Sequence, residues 1–369
     1  MKRIMKWFSN RVIGEPSKGC QLCSLGSKLV LFITGECDSN CFYCPLSKEK
    51  RKDLIYANEQ LITSVQEAIH EAKMISALGV GITGGEPTHS ISRVLSYISE
   101  LKKEFGNSFH CHLYTSHAIP VNQLNQLHKA GLDEIRFHPP RLNLSKGIKS
   151  SITQARKLNW EVGIEIPVIP DEKQKIIDII DYSIENNLDF LNLNELEITE
   201  ANFNILEKRG YKTKNTVSAA VLGSESLAHN LLKKYKKSKI TIHYCSSSFK
   251  DSIQLRNRYI RRAKNYAKPY DEITDEGLIV RARIIVNESE QLDKIQSVLI
   301  NKYKVNEEYL EIREECNTIY LNWYDAQKYG QDLNKQFQNK IKSIHIIQQY
   351  PYPDGIITYL EPIIEDYNS

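Results

Sequence analysis

The sequence predicts an α/β protein with a parallel sheet, followed by a smaller α+β module. Two observations carry the prediction. Short, branched apolar runs closed by turn residues alternate with segments of helical period from residue 28 to about 209. Beyond Asp275-Glu276-Gly277 the order changes to β-α-β-β-α-β, the ferredoxin-like pattern.

The first run, Lys28-Leu29-Val30-Leu31-Phe32-Ile33-Thr34-Gly35, reads as a buried strand ended by glycine. Further strands are expected at 79–83, 109–115, 132–138, 161–168 and 188–195. Helices are expected at 63–78, 90–105, 120–130, 148–158, 171–186 and 200–209. Val65, Ala68, Ile69 and Ala72 give the helical spacing of the first, and Ile176, Ile177, Ile180 and Ile184 that of the fifth. Six strand–helix units argue for a parallel sheet under an outer layer of helices, with chemistry at the C-terminal strand ends. In the tail, strands are expected at 278–286, in a hairpin at 309–323, at 343–350 and at 355–360, with helices at 289–303 and 325–341. The expected divisions are an N-terminal segment 1–27, a barrel 28–248, a basic helical extension 249–276 and the ferredoxin-like module 277–369.

With 41% hydrophobic and 25% charged residues, the 369-residue chain is rich enough in apolar groups to form cores. No apolar run approaches the ~20 residues a membrane helix needs, and no signal-peptide pattern follows the basic start, so a cytoplasmic location is expected. The net charge of +4 is uneven: residues 271–369 hold 10 Lys+Arg and 18 Asp+Glu, leaving +12 on the remainder. A basic body suits an anionic partner, and equally a scatter of solvated charge.

Eight cysteines in such a chain point to metal ligands or catalytic groups more than to disulfides. Cys37, Cys41 and Cys44 form C-x3-C-x2-C directly after the first strand. Three thiolates on one turn-rich loop can converge on a soft metal centre and leave a coordination position open. Forty residues on, Gly84-Gly85-Glu86-Pro87 ends the second strand. Paired glycines let backbone approach a ligand, and Glu86 could accept from an ammonium group.

The three-cysteine loop with Tyr43 before its last cysteine resembles the signature of the radical S-adenosylmethionine (SAM) enzymes, and Gly84-Gly85-Glu86-Pro87 is similar to their GGEP turn. Gly19-Cys20-Gln21-Leu22-Cys23, Cys44-Pro45-Leu46-Ser47 and Tyr56-Ala57-Asn58-Glu59 resemble, over most of the chain, an archaeal group related to pyruvate formate-lyase-activating enzymes. The resemblance implies a partial (βα)6 barrel, a [4Fe–4S] cluster on Cys37, Cys41 and Cys44, and SAM chelated to its fourth iron. It implies reductive cleavage to a 5′-deoxyadenosyl radical that abstracts hydrogen from substrate, with an electron donor of ferredoxin or flavodoxin type. It places Tyr43 against adenine, Gly84, Gly85, Glu86 and Pro87 at the methionine end, and Glu165 at the ribose.

Strand ends nominate further groups: Thr115 and Ser116 for SAM, and Arg136, His138, Asn194 and Glu195 for substrate. Each could equally be a satisfied polar cap of the barrel. Cys20 and Cys23, with His243 and Cys245 on one face of a later strand, could complete a second metal site, either zinc or an auxiliary iron–sulfur cluster. Cys111 and Cys316 read as small buried residues. Residues 249–268 carry Lys250, Arg256, Arg258, Arg261, Arg262, Lys264 and Lys268 against Asp251, and Arg258, Arg261 and Arg262 share a helical face suited to phosphate. On this basis an RNA base, in tRNA above all, is the favoured substrate. An activase that places a radical on a partner protein is the alternative, and a non-catalytic metal- or RNA-binding protein the second.

Overall fold

The computed structural model describes residues 4–338, 340–353 and 355–364, which form two compact units, Met1–Leu255 and Arg256–Ser369.

The first unit opens with a hairpin, β1 (Ile4–Trp7) and β2 (Asn10–Ile13), and a short helix α1 (Lys18–Ser24). Strand β3 (Lys28–Phe32) follows, then after the cysteine loop a small hairpin, β4 (Ile55–Ala57) and β5 (Gln60–Ile62). Helix α2 (Val65–Met74) starts in a capping box in which Ser64 and Glu67 satisfy each other's end of the first turn. The alternation then runs β6 (Gly79–Thr83), α3 (Ile91–Phe105), β7 (His110–Thr115), α4 (Val121–Ala130), β8 (Glu134–Phe137), α5 (Lys146–Ala155), β9 (Glu161–Val168), α6 (Lys173–Glu185) and β10 (Phe190–Glu195). After α7 (Phe203–Lys208) and a hairpin, β11 (Thr213–Asn215) and β12 (Ser218–Val221), come α8 (Ser224–Lys234), β13 (Thr241–Cys245) and a single turn α9 (Ser247–Phe249).

The sheet order is β1-β2-β13-β10-β9-β8-β7-β6-β3-β4-β5. The six expected strands lie side by side and parallel, and β13 extends them as a seventh, pairing Asn192 with His243 and Asn194 with Cys245. Residues 4–13 are thus part of the barrel unit, because β2 pairs antiparallel with β13.

Period-two alternation runs in an unusual sense here. Leu29, Leu31, Val80, Ile82, Leu113, Ile135, Val162, Ile164, Leu191, Leu193 and Ile242 face the helices and make the main core. The opposite face turns Lys28, Tyr114, Arg136, Glu165, Asn192, Asn194 and His243 into the bore. Cys111 lies on the apolar side, where burial pushes its thiol up to about 12, as expected of a small packing residue. Helix α1 reaches into the bore from below. A Cβ on Gly19 would meet the Arg136 guanidinium and the His112 ring at 2.6 Å, so only glycine fits there.

One pair of carboxylates in the bore is poorly matched. Glu161 stands directly across the β8–β9 ladder from Glu134, and its Oε2 is buried without a hydrogen-bond partner. Burial first, then the charges of Glu134 and Asp189, raise its carboxyl to about 7. The unfolded value is about 4.3, so ionised Glu161 costs stability above that pH, and fully so above pH 7. Glu161→Gln is therefore expected to raise the free energy of unfolding at pH 8 by about 1–2 kcal/mol after discounting for its partial exposure, read as a higher thermal midpoint, and to change it little at pH 5.

In the second unit, α10 (Arg256–Tyr266) and β14 (Glu272–Ile273) precede β15 (Ile279–Val286), α11 (Leu292–Asn301), β16 (Leu310–Arg313), β17 (Thr318–Leu321), α12 (Trp323–Gln336), β18 (Ile341–Gln349) and β19 (Ile357–Ile364). The order β16-β17-β15-β18 with antiparallel neighbours is the ferredoxin-like arrangement, and β19 adds an outer strand. Two expectations are corrected here. Cys316 is exposed rather than buried, because it lies in the turn between β16 and β17. Arg262 does not face solvent for phosphate. It is buried, donates to the Pro351 carbonyl at 2.7 Å and stacks over Tyr352. Arg256 donates to the Asp275 carbonyl at 2.8 Å, and Arg258 and Arg261 are half-buried. The arginines of the basic stretch are thus partly taken up by packing within their own unit, while Lys264 and Lys268 are exposed and Lys250 belongs to the first unit.

Candidate active site

Residue 33 leaves β3 still paired to the second strand of the barrel, since Ile33 N–H donates to the Thr83 carbonyl. The pairing continues through the glycines. Gly85 N–H donates to the Thr34 carbonyl and Glu86 N–H to the Glu36 carbonyl, both at 2.7 Å. A Cβ on Gly84 would lie 2.3 Å from Thr34 O, and one on Gly85 2.4 Å from Glu36 O. The Gly84–Gly85 turn is thus laced to the strand that launches the cysteine loop. Pro87 opens the following turn with its ring buried.

Cys37, Cys41 and Cys44 line one cavity of about 480 Å³ together with Gly84, Gly85, Thr115, Ser116 and Glu165. Cys41 is over half buried, and burial is the main cause raising its thiol. The three sulfurs are not among the ligand sets that lie within 4.8 Å of one another. Thiolates around one tetrahedral ion would be about 3.8 Å apart at a metal–sulfur bond of ~2.3 Å, and a multi-iron cube holds them wider.

Glu86 departs from expectation. Its carboxylate has no exposed surface and accepts five hydrogen bonds: from Thr88 N and Oγ1, from Thr115 Oγ1, and from Ser116 N and Oγ, at 2.6–3.1 Å. It clamps the end of β7 to the glycine turn.

Tyr43 is buried, with its hydroxyl 3.0 Å from His138 Nε2 and accepting from Arg141 N–H at 3.1 Å. His138 Nδ1 donates to the Glu165 carbonyl, so Nε2 is the acceptor for Tyr43. Burial keeps His138 below its ordinary value, hence neutral. Arg141 and Leu142 both adopt positive φ, 53° and 58°, an uncommon backbone for such side chains, where Arg141 N–H meets the Tyr43 hydroxyl.

Glu165 accepts from Arg136 Nη1 at 2.7 Å, Asn192 Nδ2 at 2.8 Å and Asn194 Nδ2 at 2.8 Å. Burial acts to raise it, yet Arg136 and then the two amides hold it at about 2. Arg136 also binds Glu134 and Tyr114, so it is the centre of a buried ion-pair ladder rather than a free substrate contact. Glu195 lines the first cavity; its Oε2 accepts from Ser247 N–H at 2.8 Å, while its Oε1 is buried without a hydrogen-bond partner among the described residues. Arg258, Arg261 and Arg262 belong to the second unit.

Cys20, Cys23, His243 and Cys245 do meet. They line a second cavity of about 110 Å³, which shares Cys23, Lys28, Tyr114, Glu165, Asn194 and Lys250 with the first. Burial opposes ionisation of Cys20, but Arg136 first and the adjoining His243 next bring its thiol down to about 6. Lys28 and Lys250 were not anticipated. A lysine opening a buried strand was the available signal for Lys28, while Lys250 was hidden in the basic stretch.

A family model for a 4Fe–4S single cluster domain matches residues 24–135. A protein of Methanocaldococcus jannaschii that carries the provisional name glycyl-radical enzyme activating enzyme is 42% identical, over 94% of this chain and 92% of its own. The chain belongs to the radical SAM superfamily. This radical SAM chain also resembles solved structures at low identity. The SuiB enzyme of Streptococcus suis bound to S-adenosylmethionine is 15% identical, with a TM-score of 0.41 over 60% of this chain and 50% of that one. Methylornithine synthase is 15% identical, with a TM-score of 0.43 over 61% and 72%.

Its cofactors are a [4Fe–4S] cluster and SAM, and the residues present fit them. Three thiols on one loop supply the soft donor set a cluster takes, in the cavity that also exposes the glycine turn. Among the described residues no helix is long and apolar enough to cross a membrane.

Proposed function

We propose that this radical SAM enzyme is an activase, abstracting a hydrogen atom from a glycyl residue of a partner protein. The observation that carries the reading is the 42% identity, over nearly the full length of both chains, to the protein provisionally named a glycyl-radical enzyme activating enzyme. The alternative of an RNA base loses its chief support with the burial of Arg262 and the engagement of Arg256. A groove of about 820 Å³ beside the cysteine loop, lined by Ser39, Pro140–Leu144, Lys149 and Tyr182, offers room for a peptide segment.

When bound and reduced by an electron donor, the cluster supplies the electron that cleaves SAM to methionine and a 5′-deoxyadenosyl radical. The chain's own residues do the positioning. Gly84 and Gly85 would hold the methionine end of SAM, with Ser116, held by Glu86, beside them. Glu165, kept ionised by Arg136, would offer acceptors for ribose hydroxyls. The neutral His138–Tyr43 pair would wall the adenine side without adding charge. With SAM so held, the chemistry it would supply is removal of a hydrogen atom from the substrate carbon, leaving a carbon-centred radical on the partner.

The test uses reconstituted, dithionite-reduced protein with SAM and an anaerobic extract of Methanocaldococcus jannaschii. One portion of extract is treated with nuclease and the other with protease, each quenched before use. Stimulated 5′-deoxyadenosine and a protein radical signal are expected with the nuclease-treated portion and not with the protease-treated one. Stimulation that survives protease and is lost to nuclease would restore the RNA reading.

A further inference from the structure

The floor of the bore holds three thiols that the proposed reaction does not use. Cys20 and Cys23 sit three apart on α1, which brings their side chains to one face of the turn. Cys245 ends β13, beside Asn194 in the parallel ladder. The three reach the same enclosed cavity of about 110 Å³ from segments more than 220 residues apart. Cys20 and Cys245 are buried and all three are free thiols.

N–H groups lie against the Cys20 sulfur. Cys20 Sγ accepts from Asn192 Nδ2 at 3.3 Å and from Arg136 Nη2 at 3.5 Å. His243 can be assigned from its neighbours. Ser246 N–H donates to Asn10 Oδ1 at 2.8 Å, which turns Asn10 Nδ2 towards His243 Nε2 at 3.2 Å. Nε2 is therefore an acceptor, and the ring proton sits on Nδ1. That nitrogen is buried, lies on the cavity-lining ring and has no hydrogen-bond partner among the described residues; Asn192 Oδ1 is also unpartnered. A protonated Nδ1 does not ligate a metal, so His243 is a donor beside the thiolates rather than the fourth ligand expected from sequence.

We propose that Cys20, Cys23 and Cys245 hold a second thiolate-ligated metal centre, an iron–sulfur cluster, with its remaining position open towards the SAM cavity. Two features favour a cluster over one zinc ion. No three ligand atoms of this group lie within 4.8 Å of one another, wider than a single tetrahedral ion allows. The cavity lining also carries Arg136, Lys28 and Lys250 against the single carboxylate of Glu165, an excess of cations that suits a centre of net negative charge. N–H donors on the thiolate sulfur are the contacts by which a protein tunes such a centre.

The test begins with the full chain carrying Cys37→Ala, Cys41→Ala and Cys44→Ala, reconstituted anaerobically and analysed for iron, sulfide and zinc. Iron and sulfide are expected to remain bound with a thiolate charge-transfer absorption, and to be lost when Cys20→Ala and Cys245→Ala are added. A Cys111→Ala control, on the helix side of the sheet, is expected to lose nothing. Variants that fail to fold are bypassed with unmutated holoprotein. In that protein Cys20, Cys23 and Cys245 are expected to resist alkylation until metal is stripped by a chelator, as read by peptide mass spectrometry. Zinc in place of iron would overturn the cluster assignment. Metal-free triple variant together with free alkylation of the three cysteines in holoprotein would overturn the site.

Discussion

Cys41→Ala, reconstituted anaerobically in the full chain, is expected to lose 5′-deoxyadenosine formation by more than about 100-fold while its thermal unfolding stays close to that of the parent chain. Loss of residues that merely support a metal ligand already costs ~10–100-fold, and Cys41 is itself one of the three proposed ligands, with no spare in its loop. The fold does not depend on it to the same degree. The loop it occupies carries no regular element between β3 and β4, and the packing of the barrel rests on the apolar outer face of the sheet. Cys37→Ala and Cys44→Ala should behave alike. Retention of more than a tenth of the activity in any of the three would remove that cysteine from the ligand set.

Arg136→Met is expected to be the most destabilising single change in the bore. Arg136 is 2% exposed, between Glu134 at 0% and Glu165 at 13%. Removing the cation leaves two buried carboxylates uncompensated, a loss of about 3–5 kcal/mol for a buried pair broken on one side. The pH dependence distinguishes this from simple loss of volume. In the parent chain both carboxyls are held below their ordinary values, with Glu165 at about 2. Their contribution is therefore complete at neutral pH and fades as pH falls from about 4 towards 2. In the variant the same carboxyls are buried without a partner and take up protons more readily. The gap between the two unfolding midpoints should narrow steadily from pH 8 to pH 5. A gap that is constant over that range would mean that packing, not charge, sets the loss.

The two glycines and three cysteines of the proposed cofactor site, which line one cavity, could be nominated from sequence because each stands out by local pattern. A loop of closely spaced thiols and a glycine pair that ends a short apolar run can be picked out without knowledge of the rest of the fold. The six strand–helix units were equally legible from their periods. What escaped depended on closure. Lys28 and Tyr114 belong to the bore only once seven strands curve round it, and a strand that is apolar on its outer face looks inverted when read alone. The surroundings of Glu86 were hidden for a similar reason: Thr115 and Ser116 come from a different segment, and the five donors they and Thr88 supply cannot be seen in a tetrapeptide. The meeting of Cys20 with Cys245 needed β13 to join the sheet beside β10 and β2 beside β13. The arginines at 256–262 read as a phosphate surface because sequence does not reveal that Pro351 and Tyr352 lie against Arg262.

The pairing of β2 with β13 also sets an order of events during synthesis. Residues 10–13 leave the ribosome early, yet their partner strand, 241–245, is made some 230 residues later. Until then the leading hairpin lacks the edge on which it finally rests, and Cys20 and Cys23 wait without the strand that supplies Cys245. Closing so long a loop is slow compared with the local strand–helix steps that precede it. The barrel is thus completed by its two chain-distant edges arriving last. A nascent chain stalled before residue 241 would carry two unprotected thiols through the whole of the pause.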